Sequence, residues 1–166
     1  MESLVAAESS EIRLLLEVID QAYDHHAWHG SNLRGSIRGV TPEEASWRPG
    51  PHRHNIWEVV VHAAYWKYAV RRRILREKRG SFPLKGSNWF PRPDTRSGRS
   101  WQADVTLLDS THESMRKAIE NVPPNHLQRI QGKTKYTYAR LIYGIASHDL
   151  YHAGQIQLLK RLYKGS

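Results

Sequence analysis

Residues 141–162 read LIYGIASHDLYHAGQIQLLKRL, and this stretch decides the fold. It reads as part of one uninterrupted helix that begins a few residues earlier. Tyr138, Leu141, Ile145, His148, His152, Gln155, Leu159 and Leu162 follow one another at spacings of three and four, the repeat of a single helix face. That seam should be apolar, yet two consecutive turns carry His148 and His152, followed by Gln155. Leu or Ile would pack there at lower cost, because a buried imidazole needs hydrogen-bond partners. Side chains four apart on a helix are neighbours, with Cβ atoms about 5–6 Å apart. Two imidazoles so placed reach one ion, and metal binding is the leading reason for them. A third ligand must then come from another helix.

Three more segments carry helical periodicity. The first runs from about Ser3 to His29, with Ile12, Leu15, Ile19, Ala22, His26 and His29 in register, and ends at Gly30-Ser31-Asn32. Thr41-Pro42-Glu43-Glu44 combines a cap, a proline at the first helical position and Glu three residues after the cap, so a short helical turn is expected there. Asn55 with Glu58 opens the second long helix, which runs to about Lys78 and turns Val59, His62, Ala63, Trp66 and Val70 inwards. Residues 80–99 are rich in Gly, Pro and Ser and read as a long loop, with Trp89 and Phe90 packing part of it down. Ser100 is placed to cap the third helix, whose seam runs through Trp101, Val105, Leu108, His112, Met115, Ile119 and Val122 until Pro123-Pro124 stops it. Residues 131–136 are polar and extended at most. An all-α chain follows: one domain over residues 1–166, an antiparallel four-helix bundle. The connections after the first and second helices exceed what a simple hairpin needs, so long crossovers are expected.

Composition bounds the chemistry. The 166 residues include six tryptophans and no cysteine. Without cysteine there is no disulfide, no cysteine nucleophile and no thiolate ligand, so a metal must be held by His, carboxylate or water. Any reacting thiol must come from outside. No run approaches a membrane span, and Met-Glu-Ser-Leu-Val is not a signal peptide, so a soluble cytoplasmic protein is expected. The formal net charge is +9, and six basic residues fall within Arg71–Arg79. Concentrated at one helix end, these cations suit the helix dipole better than a nucleic-acid groove, so nucleic acid is not the expected partner.

The other histidines separate by position. His62 lies mid-helix among Val59, Ala63 and Trp66 and is the best third ligand. His25 and His29 form another i, i+4 pair, but beside Gly30, at a helix end that frays. His29, His112 and Gln155 are candidates for lining a cavity. His52 and His54 read as loop residues, and His126 has no evident role. His148-Asp149-Leu150-Tyr151-His152 invites comparison with the zinc-protease motif H-E-x-x-H. Asp149 is one methylene too short for the Glu base, and no third ligand follows His152, so peptidase activity is not expected.

Trp28-His29-Gly30, the Thr41–Glu44 turn, Ile56-Trp57-Glu58 leading to His62, and the closing HDLYHAGQI of residues 148–156 together resemble the DinB-like family. The resemblance covers essentially the whole chain, and the closing stretch is its most specific part. It implies a four-helix bundle with long crossovers, often a homodimer. It also implies one divalent ion held by one histidine of the second long helix and two of the last, which correspond here to His62, His148 and His152. Relatives include thiol-dependent S-transferases and a mycothiol-dependent isomerase.

Three protein nitrogens leave a coordination position open, the catalytic pattern. The leading expectation is a metal-dependent enzyme acting on a small molecule, by resemblance a transferase using a low-molecular-weight thiol. A metal-dependent hydrolase and a non-catalytic, stress-linked binding module with a structural metal stay open beside it. Imidazole suits Zn, Ni and Fe alike, so the ion is not identified.

Overall fold

A computed structural model describes residues 9–92 and 97–166. Among these residues the chain is all-helical: α1 (Ser10–Tyr23), α2 (Leu33–Ser36), α3 (Pro42–Ser46), α4 (Ile56–Ile74), α5 (Gly98–Glu120) and α6 (Tyr138–Lys164), with a 3-10 turn at Pro124–His126. The only extended pairing among them is an isolated bridge between Ile130 and Thr137. Among the described residues no helix is long and apolar enough to cross a membrane.

Each long helix starts on a side chain that accepts from an otherwise unpaired backbone N–H. Ser9 accepts from Ile12, Asn55 from Glu58, Ser97 from Ser100 and Thr137 from Arg140. Such a cap is worth about 1 kcal/mol. Thr41 does the same for α3, with Pro42 at its first position. The cap of α5 is therefore Ser97 and not Ser100, which sits inside the first turn.

The long helices α1, α4, α5 and α6 form the bundle, with α1 and α4 each packed against both α5 and α6. Trp57 meets Trp101 near the starts of α4 and α5, while Ile74 shares a cluster with Met115 and Ile119 near their ends, so these two helices run in the same direction. Residues 75–97 make that long crossover. Against α6, α4 runs antiparallel: Arg76 reaches Tyr138, and His62 reaches His148. On α1 and α5, Asp20 binds Arg116 while Tyr23 binds Asp109, again antiparallel.

Two helix ends differ from the sequence expectation. The first helix stops at Tyr23, not His29, and the part expected over residues 3–8 lies outside the described residues. The seam of three-and-four spacings continues through His26 and His29 by coincidence; both are exposed. The chain turns because Asn32 donates from its amide to the His25 carbonyl and caps α2 with its oxygen. The second long helix stops at Ile74, not Lys78, and Arg76 takes a left-handed φ of 56°.

The core divides into two apolar clusters. One gathers Trp57, Val59, Val60, Val61, Ala63, Ala64, Trp101 and Ile156; the other gathers Val70, Ile74, Met115, Ile142 and Ile145. On α4 the break falls after Ala64, and on α6 between Ala146 and Ile156. Polar side chains occupy that junction.

Candidate metal centre

His148 and His152 lie in that junction on α6, and His62 lies just before it on α4, between Val61 and Ala63. His62 and His152 are buried, and His148 is half-buried. The antiparallel packing of α4 on α6 brings His62 opposite the adjacent turns that carry the other two. Their Nε2 atoms converge: His62 to His148 is 3.1 Å, and His152 to His148 is 3.1 Å. Among the described residues this is the group of histidines and acids that could hold a metal ion. A tetrahedral ion about 2.0–2.1 Å from each nitrogen would set them about 3.3 Å apart, close to the observed spacing.

The outward nitrogens show which way the lone pairs point. His62 Nδ1 lies 2.8 Å from the Asn88 carbonyl oxygen, an acceptor, so His62 donates there and Nε2 is left bare. His152 Nδ1 lies 2.7 Å from Gln155 Oε1, and Gln155 in turn donates from Nε2 to the Tyr151 hydroxyl at 3.1 Å. That assignment turns the amide oxygen to His152, whose Nε2 is then also bare. His148 has a single ring proton when neutral, so it cannot donate to both facing nitrogens. Its Nδ1 is buried with no partner. Two bare nitrogens directed at a third that can offer one proton at most suit a cation between them. Backbone and side-chain acceptors behind ligating histidines are the usual way such rings are oriented.

Burial keeps all three rings neutral. It pushes His62 down to about 4, with neighbouring imidazoles adding to the effect and the Asn88 contact opposing it. It pushes His148 down to about 3, helped by His152 and His62. His152 is also held low by burial. Neutral imidazole is the form that binds metal.

Asn88 and Trp89 come from the crossover loop. Asn88 adopts φ 69°, a left-handed conformation that Asn tolerates better than most residues. This aims its carbonyl at His62, while its side-chain oxygen accepts from Trp66 Nε1 at 3.0 Å. Trp89 stacks on His62 with ring centroids 3.9 Å apart, and on His54 at 3.6 Å from its other face. The sequence pointed to Trp89 only as a packing residue and did not mark Asn88, whose signal was an Asn-aromatic pair in a Gly- and Pro-rich loop.

Beneath the histidines, Lys67 of α4 and Asp149 of α6 form a fully buried ion pair. Burial pulls the Lys67 ammonium down and the Asp149 carboxyl up, while their mutual attraction opposes both. Asp149, at the position of the protease base, is committed to Lys67 in the core. This pair had no counterpart in the sequence reading, which saw no inward lysine.

Of the candidate cavity residues, His29 is exposed in the turn after α1. His112 is buried against Tyr23, with ring centroids 3.5 Å apart, and is not part of the three-histidine group. Gln155 braces His152 and borders a shallow cavity with His54 and Trp89. His148 forms one wall of a separate cavity of 330 Å³ that runs along Trp66, Val70, Leu141 and Ile145.

A family model described as the DinB superfamily matches residues 25–156. No curated protein and no solved structure matches the chain.

Proposed function

The chain belongs to the DinB superfamily, and from that premise we propose that it is a metal-dependent enzyme acting on a small molecule. His62, His148 and His152 would hold one divalent ion through Nε2. The convergence of three bare or bareable Nε2 atoms in a buried junction carries this reading. When bound, such an ion supplies Lewis acidity, lowering the pKa of a coordinated water or thiol or polarising a carbonyl.

The residues of this chain supply the rest. Asn88 and Gln155 fix two of the rings from behind. Trp89 covers His62 and keeps bulk water from that side. The cavity beside His148 gives a small molecule an approach to the cluster, which favours chemistry over a purely structural site. With no cysteine in the chain, a thiol must arrive as cosubstrate, and the family resemblance makes thiol transfer the preferred reaction. Asp149 is paired to Lys67 and His112 stacks within the core, so neither stands ready as the general base that hydrolysis needs.

The test is turnover of metal-loaded protein with a panel of cellular thiols and electrophiles, run beside His62→Ala. Thiol-dependent turnover that His62→Ala abolishes is expected. Turnover without any thiol would select the hydrolase reading instead. Tight metal binding with no turnover would leave a structural metal in a binding module.

A further inference from the structure

The 330 Å³ cavity beside His148 has two unlike ends. Its body is apolar, formed by Trp66, Val70, Leu141 and Ile145. Its volume falls at the lower end of small-ligand pockets. Arg73 of α4 and Arg140 of α6 also line it, and no carboxylate does.

These two arginines are held but not neutralised. The Arg73 guanidinium lies over the Trp66 ring, 5.7 Å from its centroid, and Arg140 lies over Tyr136 at 5.1 Å. Both aromatic rings belong to the same cavity wall. Among the described residues, the lysine and arginine ion pairs involve Arg34, Arg48, Lys67, Arg71, Arg92 and Arg116, with neither Arg73 nor Arg140 among them. Arg73 is half-buried. Desolvating a cation without a counter-charge is costly, and an anion from outside relieves that cost. A guanidinium offers a planar fork that fits carboxylate or phosphate oxygens, and stacking on an aromatic face limits its freedom before the anion arrives. Arg73 also borders a neighbouring cleft lined by Arg72, Arg76, Glu77, Arg79 and Lys133, which lies outside the proposed site.

We propose that this cavity binds a small amphipathic anion: a carboxylate or phosphate monoester head on Arg73 and Arg140, and an apolar body along Trp66, Val70, Leu141 and Ile145, directed at His148. That this anion is the substrate rests on the metal-dependent reading above; that it binds does not.

The experiment is a calorimetric or NMR titration of the metal-free full chain with 4-phenylbutyrate, phenyl phosphate, neutral 4-phenylbutyramide and inorganic phosphate. The two amphipathic anions are expected to bind at least tenfold more tightly than the amide and than inorganic phosphate, and the tighter of the two identifies the head group. Arg73→Gln and Arg140→Gln should each weaken anion binding, and the double variant should bring it to the level of the amide. Arg79→Gln, exposed on the neighbouring cleft, should leave it unchanged. Arg140 is exposed, so its variant keeps the test valid if Arg73→Gln unfolds. The proposal is overturned if anion and amide bind alike, if inorganic phosphate binds as well as phenyl phosphate, if Arg79→Gln weakens binding as much as Arg140→Gln, or if no probe binds. His62→Ala separates the two readings. It should keep anion binding while losing metal, and a chain that binds the anions but no metal would retire the metal-dependent reading alone.

Discussion

Lys67 and Asp149 face each other across the α4–α6 interface with both side chains closed to solvent. Lys67 sits five residues after His62, and Asp149 follows His148 directly. The pair therefore fixes the register of the two helices that bring the three histidines together. Removing one partner leaves an uncompensated buried charge, which costs about 3–5 kcal/mol. Lys67→Met and Asp149→Leu should each lower the thermal midpoint by about 10 °C in a chain of this size. The double variant Lys67→Met/Asp149→Leu should recover most of that loss, because an apolar pair replaces an ionic one. Thermal melts followed by circular dichroism check this, and an additive double variant would show that the two residues do not act as a pair.

Acid should destabilise the metal-free protein well above the carboxylate range. Burial pushes His112 down to about 2, and His62, His148 and His152 are also held below their ordinary value. Below about pH 6.5 the unfolded chain takes up protons on these residues that the folded chain refuses, so stability falls as pH falls. For His112 alone the loss between pH 6.5 and 5.5 is about 1 kcal/mol. Urea midpoints at several pH values should show this decline, and His112→Phe should make it shallower. An identical pH slope in that variant would mean that His112 is not buried neutral.

The Asn88 carbonyl depends on a backbone conformation, not on a side chain. Asn88→Gly keeps access to φ 69°, whereas Asn88→Val does not adopt it without strain. Metal affinity should fall about 10–100-fold for Asn88→Val, the usual cost of losing an acceptor behind a ligand, and much less for Asn88→Gly. Competition against a metal-chelating dye measures both. Equal affinities in the two variants would remove the role assigned to this carbonyl.

Gln155→Leu tests the second brace in the same way. The substitution leaves His152 Nδ1 without its acceptor, and metal affinity should again fall about 10–100-fold. Gln155→Glu restores an acceptor and should restore affinity. A Leu variant that binds metal as the parent does would make Gln155 a surface residue only.

What the sequence made legible follows from which forces are periodic. The α6 seam and the inward His62 were readable because helix packing repeats every three to four residues, and the polar exceptions stand out against that repeat. The Thr41 and Asn55 caps were readable because capping is local chemistry. Helix α2 was not, since Leu33–Ser36 is too short to show a period and rests on the Asn32 cap. The end of α1 was missed for a related reason: His26 and His29 keep the spacing while the backbone has already turned. Lys67 was read past because a lysine is expected in water, and only the tertiary position of Asp149 makes its burial tolerable. Asn88 reaches His62 from 26 residues away along the chain, and no local pattern encodes that contact.

The most direct test of the metal centre is the metal content of purified protein, wild type beside His148→Ala, measured by plasma mass spectrometry after dialysis. The account predicts about one divalent ion per wild-type chain and loss of that ion in His148→Ala, with the helical circular dichroism retained. Wild-type protein that holds no divalent ion after metal loading, or a His148→Ala variant that holds it equally well, would contradict it.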